Sequence, residues 1–300
     1  MVKRPLSIFI ILPTLLWMGA CHAVKIETPA PVTIHPKATL SQAKKSLAPK
    51  KLAVQELPAT LGGLVQSDSW VIYKDKSQEE FIGHVSYDNG TYIFRSDYAL
   101  SDRAKSTFSA KGNVFLRQNN PDGAFYQAQA DNGFYNYRTQ RGNLSARGKN
   151  FITLVFRDEK NQTTTATARK AHFDLNQKIY VLEKDVHIER EAPNGTQTIT
   201  AQKATVKQLQ DYILLEGDAT LSDGKRTLAA DTMIYDGQNN ASYAYGDRPL
   251  LQGTSEQGTF AVIADNVQSD AAGQRVDLKG KVQGWLVSPQ INDTKLNTRF

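Results

Sequence analysis

Three residue types in this chain could carry chemistry: its single cysteine, its five histidines and a set of recurring aspartates. The histidines (His22, His35, His84, His172 and His187) are dispersed, with no spacing that would let them ligate one zinc ion. No Gly-rich phosphate loop, nucleophile elbow or cysteine nucleophile in a folded context is present. Asp131, Asp185, Asp218, Asp231 and Asp265 recur at matching places in a repeat. Recurrence of that kind suits turn and strand-end hydrogen bonding rather than a catalytic carboxylate pair. No catalytic residue, metal site or cofactor is therefore expected, and the chain reads as a protein that carries or binds something rather than an enzyme. Lys and Arg outnumber Asp and Glu by 36 to 30, but several of these charges sit in the N-terminal fifth. No aromatic-plus-Arg pattern accompanies them, so nucleic acid is not an expected partner.

The cysteine has a different reading. Lys3 and Arg4 precede an apolar run from Leu6 to Trp17, and Gly19 and Ala20 lead into Cys21, which is the layout of an export signal. Met18-Gly19-Ala20-Cys21 resembles a bacterial lipobox, whose cysteine is lipidated on its thiol and becomes the mature N-terminus, although Met18 stands where Leu is usual. Lipidation at Cys21 ranks first, because an oxidising compartment penalises a lone thiol and this one sits at the candidate site. Cleavage after Ala23, leaving a soluble periplasmic protein, ranks second. An uncleaved anchor from Pro5 to Val24 ranks third, since two prolines and a bare minimum of length make a marginal span. The expected location is the periplasm, tethered to a membrane through the N-terminal lipid. His22 stands where Asp would retain a lipoprotein at the inner membrane, which favours the outer one.

After the signal (1–21) comes a segment, 22–66, rich in Pro, Lys, Ala and Thr with no sustained period, expected to be a disordered linker. From 67 to 288 the pattern changes to short alternating strands broken by Gly, Asn and Asp, and a polar tail, 289–300, follows. A short motif recurs there as Gly83-His84-Val85, Gly112-Asn113-Val114, Lys184-Asp185-Val186, Gly217-Asp218-Ala219 and Gly280-Lys281-Val282, with degenerate copies near Gly148 and Gly246. A second motif interleaves with it: Ser96-Asp97, Ala130-Asp131, Ala171-His172-Phe173-Asp174, Ala230-Asp231 and Ala264-Asp265. The pair of motifs recurs about six times, each repeat holding two strands of about ten residues and their turns. Asn89-Gly90, Asp122-Gly123, Asn194-Gly195 and Asp223-Gly224 supply turn signals.

Alternation within strands assigns one apolar face. It carries Phe81, Val85, Phe94, Phe108, Val114, Leu116, Ile152, Leu154, Phe156, Val186, Ile188, Leu215, Leu221, Leu278 and Val282. The repeated small residue lets each strand bend or bulge as the sheet folds over on itself. The expected fold is all-β, a curled antiparallel sheet whose two ends remain as strand edges. Its apolar face is either a filled core or the lining of a ligand trough.

The segments Glu79-Glu80-Phe81-Ile82-Gly83-His84-Val85, Tyr92-Ile93-Phe94-Arg95-Ser96-Asp97-Tyr98 and Phe108-Ser109-Ala110-Lys111-Gly112-Asn113-Val114 resemble the OstA-like family of periplasmic lipopolysaccharide-transport proteins, which includes LptA, LptC and the N-terminal domain of LptD. The likeness runs over about 70–285 and is strongest in 79–116 and 215–236. It implies an open, twisted β-jellyroll whose interior groove shields the acyl chains of lipopolysaccharide or a similar glycolipid, and which joins other jellyrolls of this type through edge strands. The chain departs from the family in its length, its basic linker and its lipobox. A structural lipoprotein that assembles through its edges or docks on an outer-membrane partner is the second reading. A β-helical polysaccharide-acting enzyme is the third, for which the repeat is too long.

Overall fold

The structure, a computed structural model, describes residues 63–159, 161–192, 195–239, 241–255, 258–270 and 275–287. Cys21, the signal, most of the linker, His22, His35, Asn194 and the tail lie outside the described residues. The strands are β1 (Leu64–Gln66), β2 (Ser69–Tyr73), β3 (Gln78–Asp88), β4 (Tyr92–Asp102), β5 (Thr107–Asn119), β6 (Phe125–Asn136) and β7 (Arg141–Ser145). They continue as β8 (Ile152–Arg157), β9 (Thr163–Ala168), β10 (Lys170–Asp174), β11 (Ile179–Ala192), β12 (Gly195–Lys207), β13 (Tyr212–Ser222) and β14 (Arg226–Asp236). The last are β15 (Ala241–Tyr245), β16 (Leu250–Ser255), β17 (Gly258–Ile263), β18 (Asn266–Asp270), β19 (Val276–Lys279) and β20 (Gln283–Val287). All pairings are antiparallel and join the strands into one 20-stranded sheet.

The registers show how that sheet is folded. Between β3 and β4 the pairing breaks at Ile82/Val85, between β5 and β6 at Lys111/Val114, between β11 and β12 at Glu183/Val186, and between β13 and β14 at Glu216/Ala219. Each break falls on the repeated motif, where two successive residues take positive φ: Gly83 and His84, Gly112 and Asn113, Lys184 and Asp185, Gly217 and Asp218, Gly280 and Lys281. A two-residue left-handed bulge turns the strand sharply, and the aligned bulges form one crease across the sheet. The first halves of β3, β5, β11 and β13, with β2, β7, β10, β15, β18 and β19, make one wall. Their second halves, with β1, β8, β9, β16, β17 and β20, make the other. Where a strand is interrupted at the crease, as between β7 and β8 or β15 and β16, the degenerate motifs near Gly148 and Gly246 still serve as crossings. The repeats are therefore Asp68/Gly83, Asp97/Gly112, Asp131/Gly148, Arg169/Lys184, Gln202/Gly217, Asp231/Gly246 and Asp265/Gly280, seven where about six are expected. The sheet also begins at Leu64, inside the segment expected as linker.

The two motifs fit together at the crease. The second-motif aspartate lies directly under the glycine of its neighbour: at Gly83, Gly112 and Gly280 an added Cβ would collide with the carboxylate of Asp68, Asp97 and Asp265. Asn113 Nδ2 donates to Asp97 at 2.9 Å, His84 Nδ1 lies 2.7 Å from Asp68, and the Arg147 backbone N–H donates to Asp131 at 2.5 Å. In the fourth repeat the charges are exchanged, and Arg169 Nε donates to Asp185 at 3.1 Å. The small residue of that repeat is Ala168 rather than Ala171, which sits further along in the first wall. Just inside the crease, Val85 pairs with Ser96, Val114 with Ala130, Ile152 with Ala168 and Val186 with Ala201. Bulky β-branched and small side chains thus alternate along the crease, which lets the walls approach to packing distance.

Candidate functional site

The inner faces of both walls are apolar and meet. Along the first wall the register aligns Phe81, Ala99, Ala110, Gly133, Leu144, Ala171, Leu182, Ala204, Leu215, Met233, Ala244, Val267 and Leu278 in one row, large and small alternating from Leu144 to Leu215. From the facing wall, Phe94 packs edge-on against Phe108 with ring centroids 5.3 Å apart. Of the residues read from the sequence as the apolar face, Phe81, Val85, Phe94, Val114, Ile152, Leu154, Val186, Ile188 and Leu215 lie in a single buried cluster. Phe108, Leu116 and Leu278 pack against that cluster, and Phe156 stacks on Tyr126 at 4.9 Å in a smaller one beside it. Ile152 is wholly buried, whereas Leu221 is 40% and Val282 48% exposed. The interior is therefore sealed in its middle and laid open towards the C-terminal end, where Val276 and Leu286 are also exposed.

Between the walls, opposite the crease, a narrow cleft of about 30 Å³ remains among Leu144, Leu154, Ala166, Phe173, Leu182, Val206 and Tyr180. Its walls come from β7 and β10 to β12 on one side and β8 and β9 on the other. Tyr180 reaches across from the first wall to Tyr126 of the second, on which Phe156 stacks. Its hydroxyl is buried and has no hydrogen-bond partner among the described residues. Burial raises the phenol pKa, with repulsion from the Tyr126 phenol group adding to it, so Tyr180 stays protonated across the physiological range. Burial does the same for Tyr126 and Tyr135. A broader depression of about 560 Å³ lies on the outer face of the first wall around Phe134, Asn143, His172 and Arg141, but it is open to solvent and could not shield an apolar chain.

Other polar groups serve the scaffold. Asp102 and Asp174 hold the turns at the rim of the first wall by accepting backbone N–H groups from Lys105 at 3.0 Å and Gln177 at 2.9 Å. Glu80 accepts from both Tyr73 (3.0 Å) and Tyr98 (2.7 Å), tying β2 to β3 and β4, and burial followed by this bond pushes the Tyr98 phenol up to about 12. His172 lies 3.7 Å from Glu183 and His187 3.1 Å from Glu189, each on an outer face. Among the described residues, no three His, Cys, Asp or Glu side chains are grouped to hold a metal ion. Among the described residues the terminal strands β1, β2, β19 and β20 each keep an unpaired edge. Exposed apolar side chains accompany them: Leu64, Trp70 and Ile72 at one end, Trp285, Leu286 and Val287 at the other.

One sheet creased into two facing walls, with an apolar inner face, is an open, twisted β-jellyroll. Residues 149–241 match the family described as "Lipopolysaccharide-assembly, LptC-related", and the resemblance to OstA-like lipopolysaccharide-transport proteins read from the motifs is borne out. The match takes in the motif-rich stretch 215–236 and leaves 79–116 outside it. Among solved structures, the chain is similar to LptH from Pseudomonas aeruginosa, described as the LptA homologous periplasmic component of the conserved lipopolysaccharide transport device. That similarity has 14% identity, covers 50% of this chain and 79% of that one, and has a TM-score of 0.22. No curated protein matches the chain.

Proposed function

We propose that this protein is a non-enzymatic periplasmic component of lipopolysaccharide transport that shields acyl chains between the two walls of its jellyroll. The observation that carries this reading is the continuity of the apolar interior, sealed around Ile152 and Leu154 and exposed at Leu221, Val276 and Leu286. A chain entering at the open end would meet hydrocarbon throughout, and each buried CH₂ contributes about 0.8 kcal/mol. The sugar portion would stay outside along the rim. Cys21 is the lipidation site in this reading and holds the domain at the outer membrane through the 22–66 segment. The exposed apolar side chains and unpaired strands at both ends favour docking of other jellyrolls by strand addition. Those same ends support the alternative of a scaffolding lipoprotein that assembles without lipid.

The test is photo-crosslinking. A delipidated preparation of the full chain, carrying a photoreactive residue at Leu116 or Leu221, is mixed with lipopolysaccharide and irradiated. Crosslinks are expected at these inner positions and not at Thr165 on the outer face of β9. Equal labelling at all three, or none with no lipopolysaccharide retained, would leave the scaffold reading in its place. Native mass spectrometry of membrane-extracted protein reads acylation at Cys21 directly.

A further inference from the structure

Buried polar groups in folded proteins are almost always satisfied, and an orphan calls for an explanation. Among the described residues two side-chain atoms are buried without a partner, the Tyr180 hydroxyl and Gln208 Oε1. They are neighbours in the fold: Tyr180 on β11 pairs with Val206 on β12, and Gln208 follows two positions on, at the start of a short 3-10 turn whose backbone N–H bonds to Lys178. Both therefore belong to the same pair of strands at the rim of the first wall.

A water molecule does not account for the Tyr180 hydroxyl. The cleft it borders has about 30 Å³ of free space, enough for one water. A buried water typically makes about three hydrogen bonds; the cleft side chains Leu144, Leu154, Ala166, Phe173, Leu182 and Val206 offer none, and the polar side chain packed against Tyr180 in the adjoining cluster is the single Tyr126 phenol. His172, which also borders the cleft, turns its imidazole outward to Glu183. Packing does not require a hydroxyl either, because Phe would present the same ring to Tyr126.

We infer that Tyr180 is a specificity-determining residue whose phenol donates a hydrogen bond to the carbonyl oxygen of an ester- or amide-linked acyl chain lying between the walls. The inference rests on the acyl-chain reading above and adds to it a fixed point: as the walls part to admit hydrocarbon, the unmatched donor meets the first oxygen of the chain. Gln208 Oε1 adds an acceptor at the rim for a hydroxyl or amide N–H of the same molecule. An unmatched hydroxyl is a cost in the empty protein that only a ligand with a carbonyl removes, so a plain hydrocarbon would gain nothing from it.

The experiment compares the full-length protein with Tyr180→Phe, using a fatty-acid methyl ester and the alkane of equal chain length as competitors of a fluorescent hydrophobic probe. The expected result is an affinity for the ester lowered about 3- to 10-fold in the variant, with alkane affinity unchanged. Thermal unfolding of the empty variant should occur at an equal or higher temperature, since its only change is the loss of an unmatched buried group. Equal weakening for both competitors, or no change for the ester, would overturn the role of Tyr180 while leaving the trough intact. Failure of both competitors to bind the wild-type chain would overturn the acyl-chain reading and this inference together.

Discussion

Gly112→Ala tests the crease directly. Gly112 has φ +72°, a conformation that costs a non-glycine residue about 1–2 kcal/mol. The new methyl group would also collide with the Asp97 carboxylate, which can move aside only by giving up its 2.9 Å bond from Asn113 Nδ2. That bond is exposed, so its loss adds about 0.5–1 kcal/mol. The sum is about 1.5–3 kcal/mol, or a fall in Tm of about 3–12 °C for a domain of this size. Gly90→Ala supplies the comparison, because Gly90 has φ +84° at a hairpin turn with no atom within 4 Å of an added Cβ. It should cost only the conformational part. In an Asp97→Ala background, Gly112→Ala should cost about 0.5–1 kcal/mol less than in the wild type, the collision having been removed. Urea and thermal unfolding followed by far-UV circular dichroism read the wild type, the three single variants and the double variant. If Gly112→Ala is no worse than Gly90→Ala, or its cost is the same with and without Asp97, the glycine is there for its φ alone and the account of paired motifs is wrong.

Two further outcomes follow from the same geometry. Lys184 occupies the glycine position of its repeat with φ +65°, so Lys184→Gly should relieve about 1–2 kcal/mol of strain against about 0.4–1 kcal/mol of added unfolded-state entropy, and raise the urea midpoint rather than lower it. Asp102 is held below the ordinary carboxylate range by the Gln78 side-chain amide, the Lys105 backbone N–H and the Lys105 ammonium. A depressed folded-state pKa contributes stability that is complete above the unfolded value and lost as the pH falls through the folded one. The urea midpoint should therefore drop below about pH 4, and Asp102→Asn should flatten that limb; parallel curves for the two proteins would show that Asp102 is not among the groups responsible.

Strand identity, the apolar face and the repeat were legible because each is a local property. Period-two alternation places Phe108, Ala110, Val114 and Leu116 on one side of β5 whatever β5 pairs with, and the turn pairs at 89–90, 122–123 and 223–224 mark hairpins by their backbone preference alone. The recurring aspartates were legible as hydrogen-bonding residues, but not their targets. Asp97 and Gly112 lie on different strands, and only the pairing of β4 with β5 brings the carboxylate under the glycine. Arg169 was missed for the same reason. Nothing in Ala168-Arg169 resembles Ala-Asp until it faces Lys184-Asp185, although the reversed charges at matched repeat positions were a usable signal.

By itself, then, the sequence determined an all-β chain of repeated strand pairs with one apolar face, since alternation, turn residues and small-residue motifs act over a few neighbours. The tertiary structure alone decided where that face is covered. A strand's apolar side reads the same whether it covers a filled core or lines a trough. The difference lies in how closely the opposite wall approaches, which is set by Val-against-Ala stacking along the crease and by how far that stacking continues. It is close at Ile152, where the interior is sealed, and it lapses towards Leu221 and Val276, where it opens. The same folding left the Tyr180 hydroxyl without a partner, because whether a polar atom is satisfied depends on every strand around it.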